Sequence, residues 1–286
     1  RDGVMETADD SALFQSWGSI TIINPLEKIW NGYSDTRMGA SMDSYLNGYN
    51  DPRLPVYFQP VTEGDNKGEY RGVANGMPNP QQDDYKAMSA PNVQEKSTDS
   101  PLRWMMASEV AFLRAEGAMR GWTAEMGGTA EEFYNKGIEL SFLENGLSAD
   151  AAARYAADET SKPTDFTDVS AANTKYNISA LGKITIKWNA GASEEEQLER
   201  IITQKWIAMF PNGTEAWSEF RRTGYPLIFP VRSNYPTSGV DTNKQIRRMV
   251  FPQSEYSNNG AAVQEAVKLL GGPDNGGTKL WWDKKN

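Results

Sequence analysis

The sequence predicts a mostly α-helical fold, built of paired helices and interrupted by long loop-rich insertions. Segments after about residue 100 repeat apolar side chains at three- and four-residue spacing. Several of these open on Ser or Thr and stop at Gly or Pro, the ordinary punctuation of helices. The first hundred residues instead carry clusters of Gly, Asn, Pro and Asp, which mark turns.

Taken in order, Arg37 to Leu46 reads as a short helix, with Met38, Met42 and Tyr45 at helical spacing. Leu54-Pro55-Val56-Tyr57-Phe58 reads as an edge strand or extended piece because of its Pro. Glu69 to Thr98 has no periodicity, and loops that long are usually functional or mobile. Asp99 or Ser100 before Pro101 suits a helix start, with the helix running to about Gly121. Within it Leu102, Met106, Val110 and Leu113 form an apolar row. Ala107, Ala111, Ala115 and Ala118 form a row of small side chains that admits a close neighbour. Thr129 and Glu132 make a capping box for a helix to Asn145-Gly146, whose inner face is Phe133, Tyr134, Gly137, Ile138 and Ser141. Ser148 opens a third helix to Ala157. A polar linker over 158–183 follows, and then Ile184 to Trp188 as a short strand or extended arm. Ser193 with Glu194, Glu195 and Glu196 is the clearest helix start. Acids there complement the helix dipole, and Glu196 is expected to close a capping box. Leu198, Ile201, Ile202, Trp206, Met209 and Phe210 form its apolar row, up to Pro211-Asn212-Gly213. A short helix over Thr214 to Arg222 ends at Gly224, and a last one spans about Gly260 to Leu270. Helix pairs of this size look like tetratricopeptide-type hairpins with a degenerate period.

Composition excludes much chemistry. With 286 residues the chain can bury a core without metal or disulfide staples. It holds no Cys and no His, which removes disulfides, Cys/His zinc sites, Cys nucleophiles and Ser-His-Asp triads. The net charge is −9, and the densest basic clusters are the doublets Arg221-Arg222 and Arg247-Arg248, so nucleic acid is not an expected partner. No apolar run approaches the ~18 residues of a membrane span. The chain opens Arg1-Asp2-Gly3 without a start Met or signal peptide and reads as a processed protein or a piece of one.

The acid pairs Asp9-Asp10 and Asp83-Asp84 and the Glu194 run read as solvated surface. Asp241-Thr242-Asn243 and Asp274-Asn275-Gly276 read as turns, without the twelve-residue calcium-loop pattern. No phosphate-loop, dinucleotide or zinc-protease motif is present, and neither cofactor nor metal is expected. The positive signal is aromatic: 9 Trp, 12 Tyr and 10 Phe on an otherwise polar chain. Trp17, Trp30 and Tyr33 stand among Asn24, Asn31 and Asp35. Flat rings beside amides and carboxylates suit sugars, whose C–H faces stack while their hydroxyls take hydrogen bonds. Trp104, Trp206 and Trp217 lie on predicted helices and read as core.

Two runs carry a resemblance: Ile202-Thr203-Gln204-Lys205-Trp206-Ile207-Ala208-Met209-Phe210-Pro211-Asn212-Gly213, and Glu215-Ala216-Trp217-Ser218-Glu219-Phe220-Arg221-Arg222-Thr223-Gly224-Tyr225-Pro226. With them come Tyr49-Asn50-Asp51-Pro52-Arg53, Glu109 to Glu116, Arg247-Arg248-Met249-Val250-Phe251-Pro252 and Leu280-Trp281-Trp282-Asp283, in order. The chain resembles the SusD/RagB family of bacterial outer-membrane nutrient-binding lipoproteins. The resemblance implies a tetratricopeptide-like scaffold whose loop-rich face captures glycans or, in some relatives, peptides. It implies a surface-exposed protein of the outer membrane that sits as a lid on a SusC-like TonB-dependent barrel and hands over ligand without cleaving it. Members carry a lipid anchor on an N-terminal Cys that this chain lacks, and they exceed one ordinary domain in length. The chain therefore reads as the C-terminal half of a single domain, with 1–100 as ligand face and 101–286 as scaffold.

Ligand contacts rest on the aromatic reading alone. Trp30 and Tyr33 are expected as stacking platforms with Trp17 near them, Asn31, Asp35 and Arg37 as polar contacts, and the loop around Asn75 and Tyr85 as a mobile flank. No catalytic residue is expected. The alternatives are a peptide-binding lid of the same family and a glycoside hydrolase working through two carboxylates about 5–10 Å apart.

Overall fold

The computed structural model describes residues 3–77, 82–92, 100–235 and 238–285. In the N-terminal layer, a strand β1 (Ala12–Phe14) is followed by a one-turn helix α1 (Pro25–Glu27). Asn24 caps α1 by accepting the Leu26 N–H at 3.0 Å. The chain runs on through a π-helical turn, Lys28–Tyr33, into α2 (Ala40–Gly48) and α3 (Leu54–Tyr57). Residues 54–57 are thus helical and not the expected edge strand. Pro55 sits in the first turn, where its missing N–H has no helical partner to lose. A single turn, α4 (Gln82–Tyr85), breaks the aperiodic stretch.

The strand β2 (Leu102–Met105) pairs antiparallel with β1, so the expected helix from Pro101 starts only at Ala107. Leu113 is exposed and Leu102 half-buried, so the apolar row from Leu102 to Leu113 does not form the buried face. The alanine row does. Ala107, Ala111, Ala115 and Ala118 are buried on α5 (Ala107–Met119), which leads through α6 (Thr123–Met126) to α7 (Ala130–Glu144). A Cβ on Gly137 of α7 would lie 2.7 Å from the Phe112 ring. Glycine there is what lets α5 and α7 approach so closely.

The Thr129 capping box forms as expected: Glu132 Oε2 accepts the Thr129 N–H at 2.8 Å, and Thr129 Oγ1 accepts the Glu132 N–H at 3.2 Å. Ser148 caps α8 (Ala149–Ala156) and Ser193 caps α9 (Glu194–Ala208). Glu196 does not close a box. Its carboxylate accepts instead from Arg200 at 2.7 Å, one turn on. Ile184 to Trp188 is an extended arm with Ile186 and Trp188 buried; Tyr49 donates to Ile184 O at 3.2 Å. α10 (Gly213–Thr223) ends at Gly224, whose φ of +79° suits glycine. α11 (Gln253–Leu270) is interrupted at Asn259 and buries Val263. No helix among the described residues is long and apolar enough to cross a membrane.

Two polar networks hold these layers together. Arg53 is fully buried and forks onto Asp51 at 2.6 and 2.9 Å. It also donates to Ser141 of α7 at 2.9 Å and to Gln204 of α9 at 3.0 Å. Burial works against its charge, but Asp51 more than offsets this and lifts the guanidinium above its ordinary pKa. Lys205 of α9, equally buried, meets Glu215 at 2.8 Å and Glu219 at 2.7 Å. Both arginine doublets are engaged internally. Arg247 forks onto Asp283 at 2.8 Å for each bond, Arg248 pairs with Asp274, Arg222 holds Glu116, and Arg221 lies 3.6 Å from the Trp217 ring centroid.

Candidate functional site

Four of the expected site residues, Asp35, Arg37, Asn75 and Tyr85, line one open cleft of about 530 Å³. Two backbone segments, 35–39 and 73–76, form its floor and are joined where Ala40 N–H donates to Val73 O at 2.9 Å and Val73 N–H to Met38 O at 2.8 Å. The four residues have different tasks. Arg37 donates Nε–H to Lys86 O at 3.1 Å and Nη1–H to Ser34 O and Thr36 O at 3.0 and 2.8 Å, so it clamps the loop. Burial holds its pKa below the ordinary arginine value, with Asp35 opposing. Tyr85 is 6% exposed and donates to Asp168 at 3.0 Å, while Asn173 donates to its oxygen at 2.7 Å. Burial, followed by the Asp168 carboxylate, pushes the Tyr85 hydroxyl up to about 12. The ring packs with Val61 and Met88, so the expected mobile flank is a buried support at this residue. Exposed side chains remain at Asp35 and Asn75 on the wall and at Lys86, which meets Asp83 at 3.1 Å.

The expected aromatic platforms divide. Tyr33 is 64% exposed at the end of the π-helical turn, two positions before Asp35. Trp17 is 80% exposed at a tight reversal, where Gly18 at φ +60° lets Trp17 and Ile20 pair. Trp30 is not an open platform: it is 5% exposed and stacks on Phe210, with centroids 6.0 Å apart and planes 9° apart. The Asn31 side chain lies outside the described residues. Trp104, expected in a helical core, is 72% exposed on β2 and meets Phe14 edge-on at 6.1 Å. Trp206 and Trp217 are half-buried.

A second cavity of about 360 Å³ shares Arg37, Met38, Gly39 and Asn75 with the first. Its walls are aromatic: Trp30, Phe58, Trp206, Phe210, Trp217 and Phe220. The residues Phe58, Trp206, Phe210 and Trp217 escape a sequence search for site residues, because each sits on an apolar row or signature run that reads as core. Their one signal is the density of rings between Trp206 and Phe220.

Among the described residues no acid other than Asp35 lines either cavity. Asp43, Glu69 and Asp165 border another cleft. There Asp43 accepts from Gly72 N–H at 2.6 Å and Asn47 at 2.7 Å, and Asp165 from Ala180 N–H at 2.8 Å, which is structural anchoring. Burial lifts Glu109 to about 7, against the pull of Lys205 and with Glu215 adding to the rise; this group belongs to the Lys205 network and to neither cavity. Among the described residues no cluster of three carboxylates is placed to hold a metal ion.

Comparison with known proteins gives a consistent picture. The family profile "SusD-like: Susd and RagB outer membrane lipoprotein" matches residues 1–283. No curated protein matches the chain. Among solved structures, a chitin-binding SusD homolog from Flavobacterium johnsoniae is 42% identical with a TM-score of 0.89, over 99% of this chain and 56% of that one. A SusD-like protein from Bacteroides thetaiotaomicron is 43% identical with a TM-score of 0.89, over 99% and 57%. A susd homolog from Bacteroides vulgatus is 38% identical with a TM-score of 0.90, over 99% and 56%. The chain thus spans a little over half the length of the solved relatives it matches.

Proposed function

This chain belongs to the SusD/RagB family of outer-membrane lipoproteins, and from that premise we propose that it binds glycan at the bacterial cell surface without cleaving it. The observation that carries the reading is the open cleft at residues 35–39 and 73–76, with the exposed Tyr33 ring two positions away. Asp35 and Asn75 there offer an acceptor and an amide to sugar hydroxyls, and Tyr33 and Trp17 offer ring faces to their C–H surfaces. Arg37 and Tyr85 shape the cleft and Trp30 walls the cavity behind it. Asp35 as the single acid lining the cleft among the described residues supports binding over hydrolysis, because glycosidases pair two carboxylates about 5–10 Å apart. The Flavobacterium relative described as chitin-binding supports a glycan as ligand. The family supports the remaining steps: residence at the outer membrane and delivery of ligand to a SusC-like TonB-dependent barrel.

The test is titration calorimetry of the full-length protein against a glycan and peptide panel. Tyr33→Ala and Asp35→Ala are expected to weaken binding of the best glycan about 3- to 10-fold each, as loss of one ring contact or one charged hydrogen bond would. Both should leave the unfolding temperature unchanged. Binding of peptides alone would replace the glycan reading with the peptide one.

A further inference from the structure

We propose that a pocket between the end of α10, the segment 227–230 and the loop 243–247 binds a small apolar carboxylate. The ligand is an aryl or alkyl acid, with its head at Lys244 and Arg247 and its body against Phe220, Leu227 and Ile228. This pocket of about 300 Å³ shares no lining residue with the cleft at 35–39 and 73–76. Phe220 and Ile228 stand between it and the aromatic cavity, since they line both.

The body of the pocket is apolar. Leu181 and Pro230 complete a lining with Phe220, Leu227 and Ile228, against which a ring or chain leaves water favourably. An enclosed apolar cavity of ~150 Å³ takes up benzene, so the volume here suits one ring with a short arm.

Charge at the pocket is of one sign. Lys244, Arg247 and Lys285 line it and, among the described residues, no acid does. Arg247 is fixed by bonds from Nε and Nη2 to Asp283, from Nη2 to Arg221 O and from Nη1 to Lys244 O. The second Nη1–H has no acceptor among the described residues. Lys285 pairs with Glu195. Lys244 is exposed, and its ammonium makes no hydrogen bond or ion pair among the described residues. The nearby Asp241 carboxylate is held instead by the Asn243 and Lys244 N–H groups, at 2.8 and 2.9 Å.

This pattern selects the head group. Asp283 balances Arg247 and Glu195 balances Lys285, which leaves the Lys244 charge for one anionic group. Lys and Arg donate and never accept, and a carboxylate needs donors alone. A sugar ring also needs acceptors. Asn243 is the one lining side chain that has an acceptor, and it already bonds to Asp241. The apolar walls would leave the remaining hydroxyls without partners, which is unfavourable.

The experiment is titration calorimetry of the full-length protein with octanoate, 3-phenylpropanoate, the amide of each, and acetate. At least one long acid is expected to bind about tenfold tighter than its amide, the worth of one charge-assisted hydrogen bond. The tighter acid identifies an alkyl or an aryl body. Acetate, a head without a body, is expected to bind about tenfold more weakly still. Lys244→Gln should remove the preference for acid over amide, and Lys244→Arg should keep it. Leu181→Trp narrows the pocket from a position 40% exposed and should weaken acid and amide alike. All three variants should keep the unfolding midpoint. Equal binding of acid and amide, an acid preference that survives Lys244→Gln, or no binding of either acid would overturn the proposal. Glycan affinity at the cleft should be unchanged in these variants, so failure of this proposal and failure of the glycan reading are read separately.

Discussion

Replacing Arg53 with Ala tests whether the loop layer is registered on the scaffold through one buried side chain. Arg53 is 0% exposed and its guanidinium reaches Asp51, Ser141, Gln204 and Tyr155, with the Phe142 and Tyr155 rings 5.1 and 5.2 Å from its central carbon. Truncation leaves Asp51, 3% exposed, as a buried charge without its guanidinium, held by the backbone N–H of residue 53 at 2.9 Å. Breaking such a pair from one side costs about 3–5 kcal/mol. At roughly 2–4 °C per kcal/mol for a large domain, the midpoint of thermal unfolding should fall by about 6–20 °C. Circular dichroism at 222 nm and calorimetry would both read this. Arg53→Met combined with Asp51→Asn removes both charges and should be less damaging than Arg53→Ala alone. A fall of under about 2 °C for Arg53→Ala would refute the reasoning, since the loss would then be within the range of a surface substitution.

Trp30→Ala should lower stability by about 3–5 kcal/mol, because the ring is 5% exposed and stacked on Phe210; affinity for glycan and the unfolding midpoint should fall together. Gly137→Ala should destabilise by about 1–2 kcal/mol in denaturant unfolding, the crowding against Phe112 outweighing the roughly 1 kcal/mol gained in helix propensity. Glu109 is raised from 4.5 to about 7, so over that window the folded state holds more protons than the unfolded one and stability falls as pH rises. Glu109→Gln should therefore gain on the wild type as pH increases from about 5 to 8, measured as a difference in unfolding midpoints; a pH-independent difference would contradict this.

The helical scaffold was legible where local chemistry decides it. Thr129, Ser148 and Ser193 cap the helices they mark, and Phe133, Tyr134, Gly137, Ile138 and Ser141 are all buried. It was not legible where a distant partner decides. Residues 102–105 form a strand because β1, some ninety positions earlier, offers them a ladder. The site shows the same division. Asp35, Arg37, Asn75 and Tyr85 do converge on one cleft, but their partners are remote: Lys86 O for Arg37, Asp168 and Asn173 for Tyr85. Trp30 and Tyr33 look alike in sequence. Only the return of Phe210 from the far end of α9 buries the first and leaves the second exposed.

The ion pair between Arg247 and Asp283 bears on how this protein is made. Arg247 also donates to Arg221 O at 2.7 Å, and Trp282 lies 5.1 Å from the Arg221 guanidinium on the side chain that covers Trp217. The aromatic wall at Trp217 is thus completed by residues that leave the ribosome 66 positions later (283 − 217). At about 5–20 residues per second, that delay is roughly 3–13 s. During it Trp217 is a large apolar ring without its cover, and a chaperone surface is a competing home for it until synthesis reaches Asp283.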